Sequence, residues 1–489
     1  MIWACAACTS NSEKNSPLRL IIEQPPTTLN PRAALDAWGQ RIDALIFRGL
    51  TQIDSDLNPQ PDLADHWEIA DGGKTWKFVI RTGLRDQSGE SITPLRIANC
   101  LDEYRMGKPT SPLAAAFPYW RKTRSDSSSV ILELDRPDPY LARNVSALRY
   151  FVPEGGTPCH EPEANQKVIG SGEYRPATWE LAPDSGLLLK SQNGDIQISF
   201  VRDETTRALR LLHGDADAVQ TGITLTKTRW LQKNHSDQFR FLERKGVVVS
   251  YLAFNLSDPI LSKLAVRRAI AEAIPRQDIV DHKLLGFCQL AGSFLAPELP
   301  ESYQSEFRFD PSESEKLLDQ AGYPRGPNGI RLTLRYKTTP VREGLETALI
   351  FQDALRKVGI QLNLDPVEPT VFLASIRKGA FQMYSSRWVG VSDASILYRT
   401  LHTGESNNRA HYHNKETDQL LDLAATEMDL AKRTVLMKQV QQRMTADLPY
   451  FPLWYWNTTL IVRKEFTGLD PGQLSLSGGL RPLTQLRRK

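Results

Sequence analysis

Two imidazoles, His411 and His413, stand one residue apart, and residues i and i+2 of a β-strand share a face, so the pair could reach one metal ion. The surrounding run Ser406-Asn-Asn-Arg-Ala-His-Tyr-His-Asn414 reads as polar loop, and no metal is expected there. Gly170-Ser-Gly172 has two glycines of a nucleotide loop but lacks the third, which leaves a structural turn as its expected role. Sequences of the type G-x-x-x-x-G-K-[ST], H-E-x-x-H and G-x-S-x-G do not occur, and the acidic residues show no paired-carboxylate context. Cys100, Cys159 and Cys288 lie far apart and outside any C-x-x-C arrangement; at most one internal pair can form among them, and sequence does not say which. No catalytic residue, cofactor or metal site is therefore expected.

The elements around these residues alternate between strand and helix. Arg19-Leu-Ile-Ile-Glu23 reads as a short apolar strand ended by Pro25-Pro26, and Ala33 to Leu50 as a helix with Ala37, Ile42, Leu45 and Ile46 near helical spacing. In Thr75 to Arg81 the residues Trp76, Phe78 and Ile80 point one way and their neighbours the other, the signature of a half-buried strand. Val130 to Leu134 and Ile196 to Phe200 repeat it. Helices are expected at Glu313 to Ala321 with Leu317, Leu318 and Ala321 inward, and at Arg342 to Val358 with a stripe of Leu345, Leu349 and Leu355. A strand at Ile360 to Leu364 and a helical segment from Thr417 to Leu448, closed by Pro449, follow. Interspersed strands and helices point to an α/β fold, and 489 residues to more than one core.

Composition narrows the partners. Hydrophobic residues make up 40% and charged residues 24%, ordinary for a globular protein, and a formal net charge of +3 gives no reason to expect a nucleic-acid partner. Arg487-Arg488-Lys489 is expected to be a solvated tail. No apolar run reaches the roughly 18 residues that a membrane span needs. Near the start, Ala6-Ala7-Cys8 followed by polar Thr9 to Ser16 resembles the end of a bacterial lipoprotein signal, which makes Cys8 the expected lipidation site and a membrane anchor the expected consequence. Cys5 stands three residues before it, where such signals usually carry leucine, and no basic segment precedes it.

Several segments in a shared order resemble the oligopeptide-, dipeptide- and nickel-binding proteins of bacterial ABC importers, the family 5 extracellular solute-binding proteins. They are Thr28-Leu-Asn-Pro31 with Phe47-Arg-Gly-Leu50; Pro61-Asp-Leu-Ala-Asp-His-Trp-Glu68; Asp71-Gly-Gly-Lys-Thr-Trp-Lys-Phe-Val-Ile-Arg-Thr-Gly-Leu84 with Asp86 to Glu90; and Ile169-Gly-Ser-Gly-Glu-Tyr174. Leu264-Ala-Val-Arg-Arg-Ala-Ile270 with Ala273-Ile-Pro-Arg276, and Leu317-Leu-Asp-Gln-Ala-Gly-Tyr323, complete the set; Pro275 replaces an aspartate usual in the family. Gly83, Gly89, Gly170 and Gly172 within these motifs are read as turn residues, where positive φ is often required.

The resemblance implies an α/β two-lobed periplasmic-binding-protein fold of type II. One lobe would comprise residues 17–45, 165–255 and 456–489, with an inserted subdomain at 46–164; the other would comprise 256–455, with residues 1–16 as signal remnant and linker. It further implies a monomer outside the cytoplasm, at the periplasm or cell surface, that catalyses nothing and hands a peptide or related small solute to transporter permease subunits. By position the ligand cleft between lobes would be lined by Thr28, Leu29, Asn30, Tyr251, Tyr384, Trp388, Trp454, Tyr455 and Trp456, with Arg387 and Arg409 as partners for a ligand carboxylate. Peptide-binding members carry W-x-x-D where this chain has Trp388-Val-Gly-Val391, and that aspartate pairs with the ligand's ammonium. Val391 cannot, although Asp393 would share its face in a strictly alternating strand. The alternatives are a sensor for a membrane partner, or a binder of a non-peptide solute such as a sugar or metal chelate.

Overall fold

The computed structural model describes residues 16–163, 166–179, 181 and 186–489. Cys8 and its expected lipidation lie outside the described residues. The chain divides into two compact units, Met1–Arg244 with Thr458–Lys489, and Lys245–Asn457. Among the described residues no helix is long and apolar enough to cross a membrane.

In the first unit, β1 (Leu18–Ile22) is the inner strand of a mixed sheet. Its Leu20, Ile21 and Ile22 are all buried, as expected for a parallel strand covered on both faces. It pairs in parallel with Ile196–Phe200 on one side, Leu20 opposite Ile198, and with Ala218–Gln220 on the other. The helix Glu204–His213 packs Ala208 and Leu211 into a core with Ile21, Val219, Phe239 and Ile461; Asp203 caps its start and Gly214, at φ 87°, its end. The helix read from Ala33 to Leu50 is shorter: α1 runs Ala37–Ile46, because the Asp36 side chain accepts from the Gly39 amide and sets the N-terminus.

A second, antiparallel sheet has β2 (Ala64–Ala70) and β3 (Thr75–Ile80) next to Ser129–Leu134, with Trp120–Ser125 at its edge. The burial of β3 alternates residue by residue, with Trp76, Phe78 and Ile80 inward as the sequence predicts. The helix α2 (Pro94–Met106), capped by Thr93, covers this sheet, and its Cys100 is joined to Cys159. Cys288 is buried and takes part in no disulfide among the described residues. Gly83 and Gly89 do have positive φ, whereas Gly170 and Gly172 do not. They are required for closeness instead: a Cβ on Gly172 would lie 2.6 Å from the Leu45 carbonyl oxygen. The expected solvated tail is also corrected. Arg487–Arg488 pairs with Phe466–Thr467, and Arg488 reaches Glu465 at 3.0 Å and the buried Asp217 at 3.6 Å.

Asp43 on α1 is buried, and its Oδ1 has no hydrogen-bond partner among the described residues. Burial pushes its carboxyl well above the ordinary carboxylate range, opposed in part by the half-buried Arg149, which desolvation lowers to about 10. A folded pKa above the unfolded one means that the stabilising contribution is complete below the unfolded value and is lost as pH rises through the folded one. Asp43→Asn is therefore expected to raise the melting temperature by roughly 2–4 °C at pH 8, and by less at pH 4. A gain of equal size at both pH values, in thermal melts of the two proteins, would rule out a titrating Asp43.

In the second unit, Lys245–Phe254 is the later part of the long strand β4 (Phe239–Phe254). The strand β5 (Leu332–Thr338) pairs in parallel with β6 (Ile360–Pro366) on one side and with β7 (Met383–Trp388) on the other, and β7 runs antiparallel to β4. Between β5 and β6, α3 (Arg342–Lys357) buries Thr347, Ala348, Phe351, Ala354 and Leu355. The predicted stripe was rotated: Leu349 is exposed and Leu345 only half-buried, so the aromatic Phe351 and small residues beside it form the contact face. In the helix Pro311–Gln320 only Ser314 and Leu318 are buried. The segment from Thr417 onward is two helices, Lys415–Thr426 and Leu430–Asp447, because Asp429 caps the second. Leu448 closes it at φ 47°, and β8 (Tyr450–Arg463) begins.

Candidate functional site

In the first unit, the loop holding Thr28, Leu29 and Asn30 is fixed from behind by Arg32, whose side chain is 1% exposed. Asn30 donates from Nδ2 to Glu161 Oε1 at 2.8 Å, and Arg32 donates from Nε to Glu161 Oε2 at 2.9 Å. The same guanidinium donates to the carbonyls of Glu103, Pro109 and Cys159. A charge so buried is tolerable only when nearly every donor is used, and here the carbonyls and Glu161 do so. Thr28 and Asn30 line a cavity of about 1040 Å³ together with Leu29, Gln87, Arg175 and Trp179. Arg32 and Glu161 carry no motif that would have singled them out.

In the second unit the register of β4 and β7 decides which predicted residues can act together. Val249 faces Trp388, Ser250 faces Arg387, Tyr251 faces Ser386 and Ala253 faces Tyr384. Cross-strand partners share a face and successive residues alternate, so Tyr251, Tyr384 and Trp388 lie on one side of the sheet and Arg387 on the other. The contacts agree. Tyr251 stacks on Trp388 with centroids 5.7 Å apart, and meets Tyr384 edge-on at 6.1 Å and Tyr450 at 5.6 Å. Phe294 closes the group at 5.3 Å from Tyr251. On the opposite side Arg387 lies 4.6 Å over Trp456, whose Nε1 donates to Ser250 Oγ at 2.8 Å, and pairs with Glu343 of α3 at 3.0 Å.

Trp454 shares the Trp456 face by alternation and is buried. Tyr455 is buried too, its hydroxyl directed at the carbonyls of Ser293 and Leu295, each at 2.8 Å. The thirteen ligand-contact residues named from sequence thus fall into separate groups, and Phe294 and Ser250, which sit among them, carried no sequence signal.

Strand β7 ends at Trp388, so Val391 and Asp393 are not on an alternating strand. Both are buried. Asp393 accepts from the Ser395 amide at 2.9 Å and from Ser392 Oγ at 3.1 Å, ahead of the helix Ser395–Leu401. Arg409 donates from Nη2 to Asn407 Oδ1 at 3.1 Å. The next residue, Ala410, donates its amide to Tyr450 Oη at 3.1 Å. His411 and His413 are both exposed.

Comparison with known proteins places this geometry. The family model "Bacterial extracellular solute-binding proteins, family 5 Middle" matches residues 58–408. The dipeptide-binding protein DppE of Bacillus subtilis is 23% identical, with 91% of this chain and 88% of that protein covered. Among solved structures, NikA from Brucella suis in complex with Fe(III)-EDTA superposes with a TM-score of 0.85 at 20% identity, over 96% of this chain and all of that one. DppA from Helicobacter pylori in complex with the peptide STSA gives a TM-score of 0.75 at 19% identity, over 98% of this chain and 100% of that one. The fold is that of the type II periplasmic binding proteins. A family match over most of the chain, carried on a fold of that kind, makes this chain a member of the bacterial extracellular solute-binding proteins, family 5.

Proposed function

We infer that this chain captures a peptide or related small solute outside the cytoplasm and delivers it to the permease subunits of an ABC importer. The observation that carries the reading is the aromatic group around Tyr251 in the second unit. Tyr384 Oη and Trp388 Nε1 are buried there with no hydrogen-bond partner among the described residues. Buried donors left unsatisfied are destabilising, and a ligand that accepts from them would remove that penalty. Relatives whose names specify dipeptide or glutathione binding support the solute class. Lipid attachment at Cys8 belongs to the same reading, on the strength of Ala6-Ala7-Cys8.

Native mass spectrometry of the full chain, purified from a bacterial periplasm without refolding, is expected to show a non-covalent adduct of small-solute mass. A bare protein whose melting temperature is also unmoved by peptides, sugars and metal chelates would defeat the proposal. In the same spectra, an unacylated Cys8 in an unprocessed N-terminus would remove the anchor from it.

A further inference from the structure

A recess of about 490 Å³ lies wholly within the first unit and shares no lining residue with the cavity beside Thr28 and Asn30. Three stretches far apart in the chain make its walls: the end of α1 with Arg48 and Asp62, residues 171–174, and the short helix Arg481–Gln485 near the C-terminus. Short contacts join them. The Arg48 amide donates to Ser171 Oγ at 2.8 Å, the Gly172 amide to the Ile46 carbonyl at 2.7 Å, and Arg481 Nε to the Ala44 carbonyl at 2.9 Å.

Charge is unevenly shared there. The buried Asp62 accepts at Oδ1 from Arg48 Nε at 2.6 Å and at Oδ2 from the Gly49 amide at 3.2 Å, while Arg481 Nη2 stands off at 3.8 Å. Two guanidiniums thus divide one carboxylate. Glu173, the other acid on the wall, already accepts from Ser191 Oγ at 3.1 Å and from Asn193 Nδ2 at 2.9 Å. Among the described residues, Arg48 Nη1, both terminal nitrogens of Arg481 and the Tyr174 hydroxyl have no hydrogen-bond partner. Burial pushes that hydroxyl up to about 12, so it stays a donor at neutral pH. A third guanidinium adds to the positive side: Arg149 precedes Tyr150, whose amide donates to the Arg48 carbonyl at 2.8 Å, and Arg149 Nη1 is buried with no hydrogen-bond partner among the described residues.

The recess therefore offers an occupant donors on cations, while its acids are engaged within the protein. Guanidinium forks match two oxygens of a phosphate or sulfate group, and a volume of this size holds more than the bare ion. A cationic occupant would add to the excess charge. We propose that this recess is an oxyanion site, in which Arg48, Arg481 and Tyr174 receive a phosphate or sulfate group that fastens the C-terminal segment onto the start of the chain. It shares no residue with the expected solute contacts, and it stands whether or not the uptake reading holds.

Calorimetry on the full chain, in a chloride buffer, tests this with inorganic phosphate, sulfate and glycerol 3-phosphate as probes, against the parent, Arg481→Met and Arg481→Lys. At least one probe is expected to bind at one site per chain, about tenfold or more weaker in Arg481→Met and partly restored in Arg481→Lys. Tighter binding of glycerol 3-phosphate than of phosphate identifies the occupant as the phosphate group of a larger molecule; the reverse order identifies the free ion. Sulfate and phosphate stabilise folded proteins in general by exclusion from their surface, so a gain in melting temperature counts only where Arg481→Met removes it. The bound anion should also slow hydrogen exchange at the Leu483 and Leu486 amides, which close the turns of the short helix, in the parent and not in Arg481→Met. Should Arg481→Met fail to fold, Tyr174→Phe deletes one hydroxyl and is expected to weaken binding about threefold or more, with its melting in chloride unchanged. No heat from any probe at about 10 mM, or equal affinity in the parent and in the folded variant, would overturn the proposal.

Discussion

Glu301→Ala is expected to lower the unfolding free energy by about 3–5 kcal/mol. Glu301 and Arg433 have side chains only 4% and 8% exposed, and Arg433 Nε lies 2.9 Å from Glu301 Oε1. Removing the carboxylate leaves a guanidinium inside the second unit with neutral backbone carbonyls beside it, Glu427 at 2.8 Å and Met428 at 3.4 Å from Nη1. The loss is larger than an exposed pair would give, because the stranded charge has no solvent to relax into. Replacing both partners by apolar residues, Glu301→Leu with Arg433→Met, is expected to recover most of the loss, since neither charge then remains to be solvated. Urea unfolding of the three proteins checks this. A single mutant as stable as the parent would mean that water reaches Arg433 in the native state. The backbone of Glu301 is tied separately: Gln441 Nε2 donates to its carbonyl at 2.8 Å, so the loop should keep its path in both variants.

Removing the Cys100–Cys159 link should be of comparable size. The bridge closes a segment of 59 residues, and the chain entropy returned to the unfolded state corresponds to about 4 kcal/mol. Its effect should not stay local. The Cys159 carbonyl accepts from Arg32, the residue that also braces Asn30 through Glu161. A Cys100→Ser, Cys159→Ser protein is therefore expected to melt lower and to exchange the amides of Asn30 to Ala34 faster, in hydrogen-exchange measurements with the parent as reference. Faster exchange confined to the immediate neighbours of the two cysteines would separate the bridge from the Thr28–Asn30 loop.

Patterns that depend on local chain chemistry were readable. The period of two in Thr75–Ile80, the apolar run of Leu18–Ile22 and the ordered motifs all led to the right elements and the right family. What failed depended on partners distant in sequence. The contact stripe of Arg342–Lys357 is set by the sheet beneath it, which selected Phe351 and Ala348 over Leu349. The disulfide partner was a three-dimensional fact, as was the docking of Arg488 against Asp217.

The candidate site shows the same division. Residue types suitable for ligand contact could be picked by resemblance, but only the register of β4 against β7 puts Trp388, and not Arg387, on the face of Tyr251. Alternation could not be extended to Asp393 either, because the strand stops five residues earlier. Arg387 and Arg409 look equivalent in sequence, yet Glu343 of a different element accompanies the first and, among the described residues, no carboxylate the second.

The discontinuous first unit has a consequence for how the molecule is made. Its strand Ala218–Gln220 pairs with Leu460–Val462, which follow the whole of Lys245–Asn457 in the chain. At ribosomal rates of about 5–20 residues per second, roughly 210 residues of the second unit take about 10–40 s to emerge. Throughout that interval the edge at Val219 has no permanent neighbour, and the partners that Arg240 finds in Phe466 and Leu469 have yet to be synthesised. The second unit, contiguous in the chain, is under no such delay. Translation thus completes the later half before the earlier one can close, and the nascent chain carries an open sheet edge until its final residues appear.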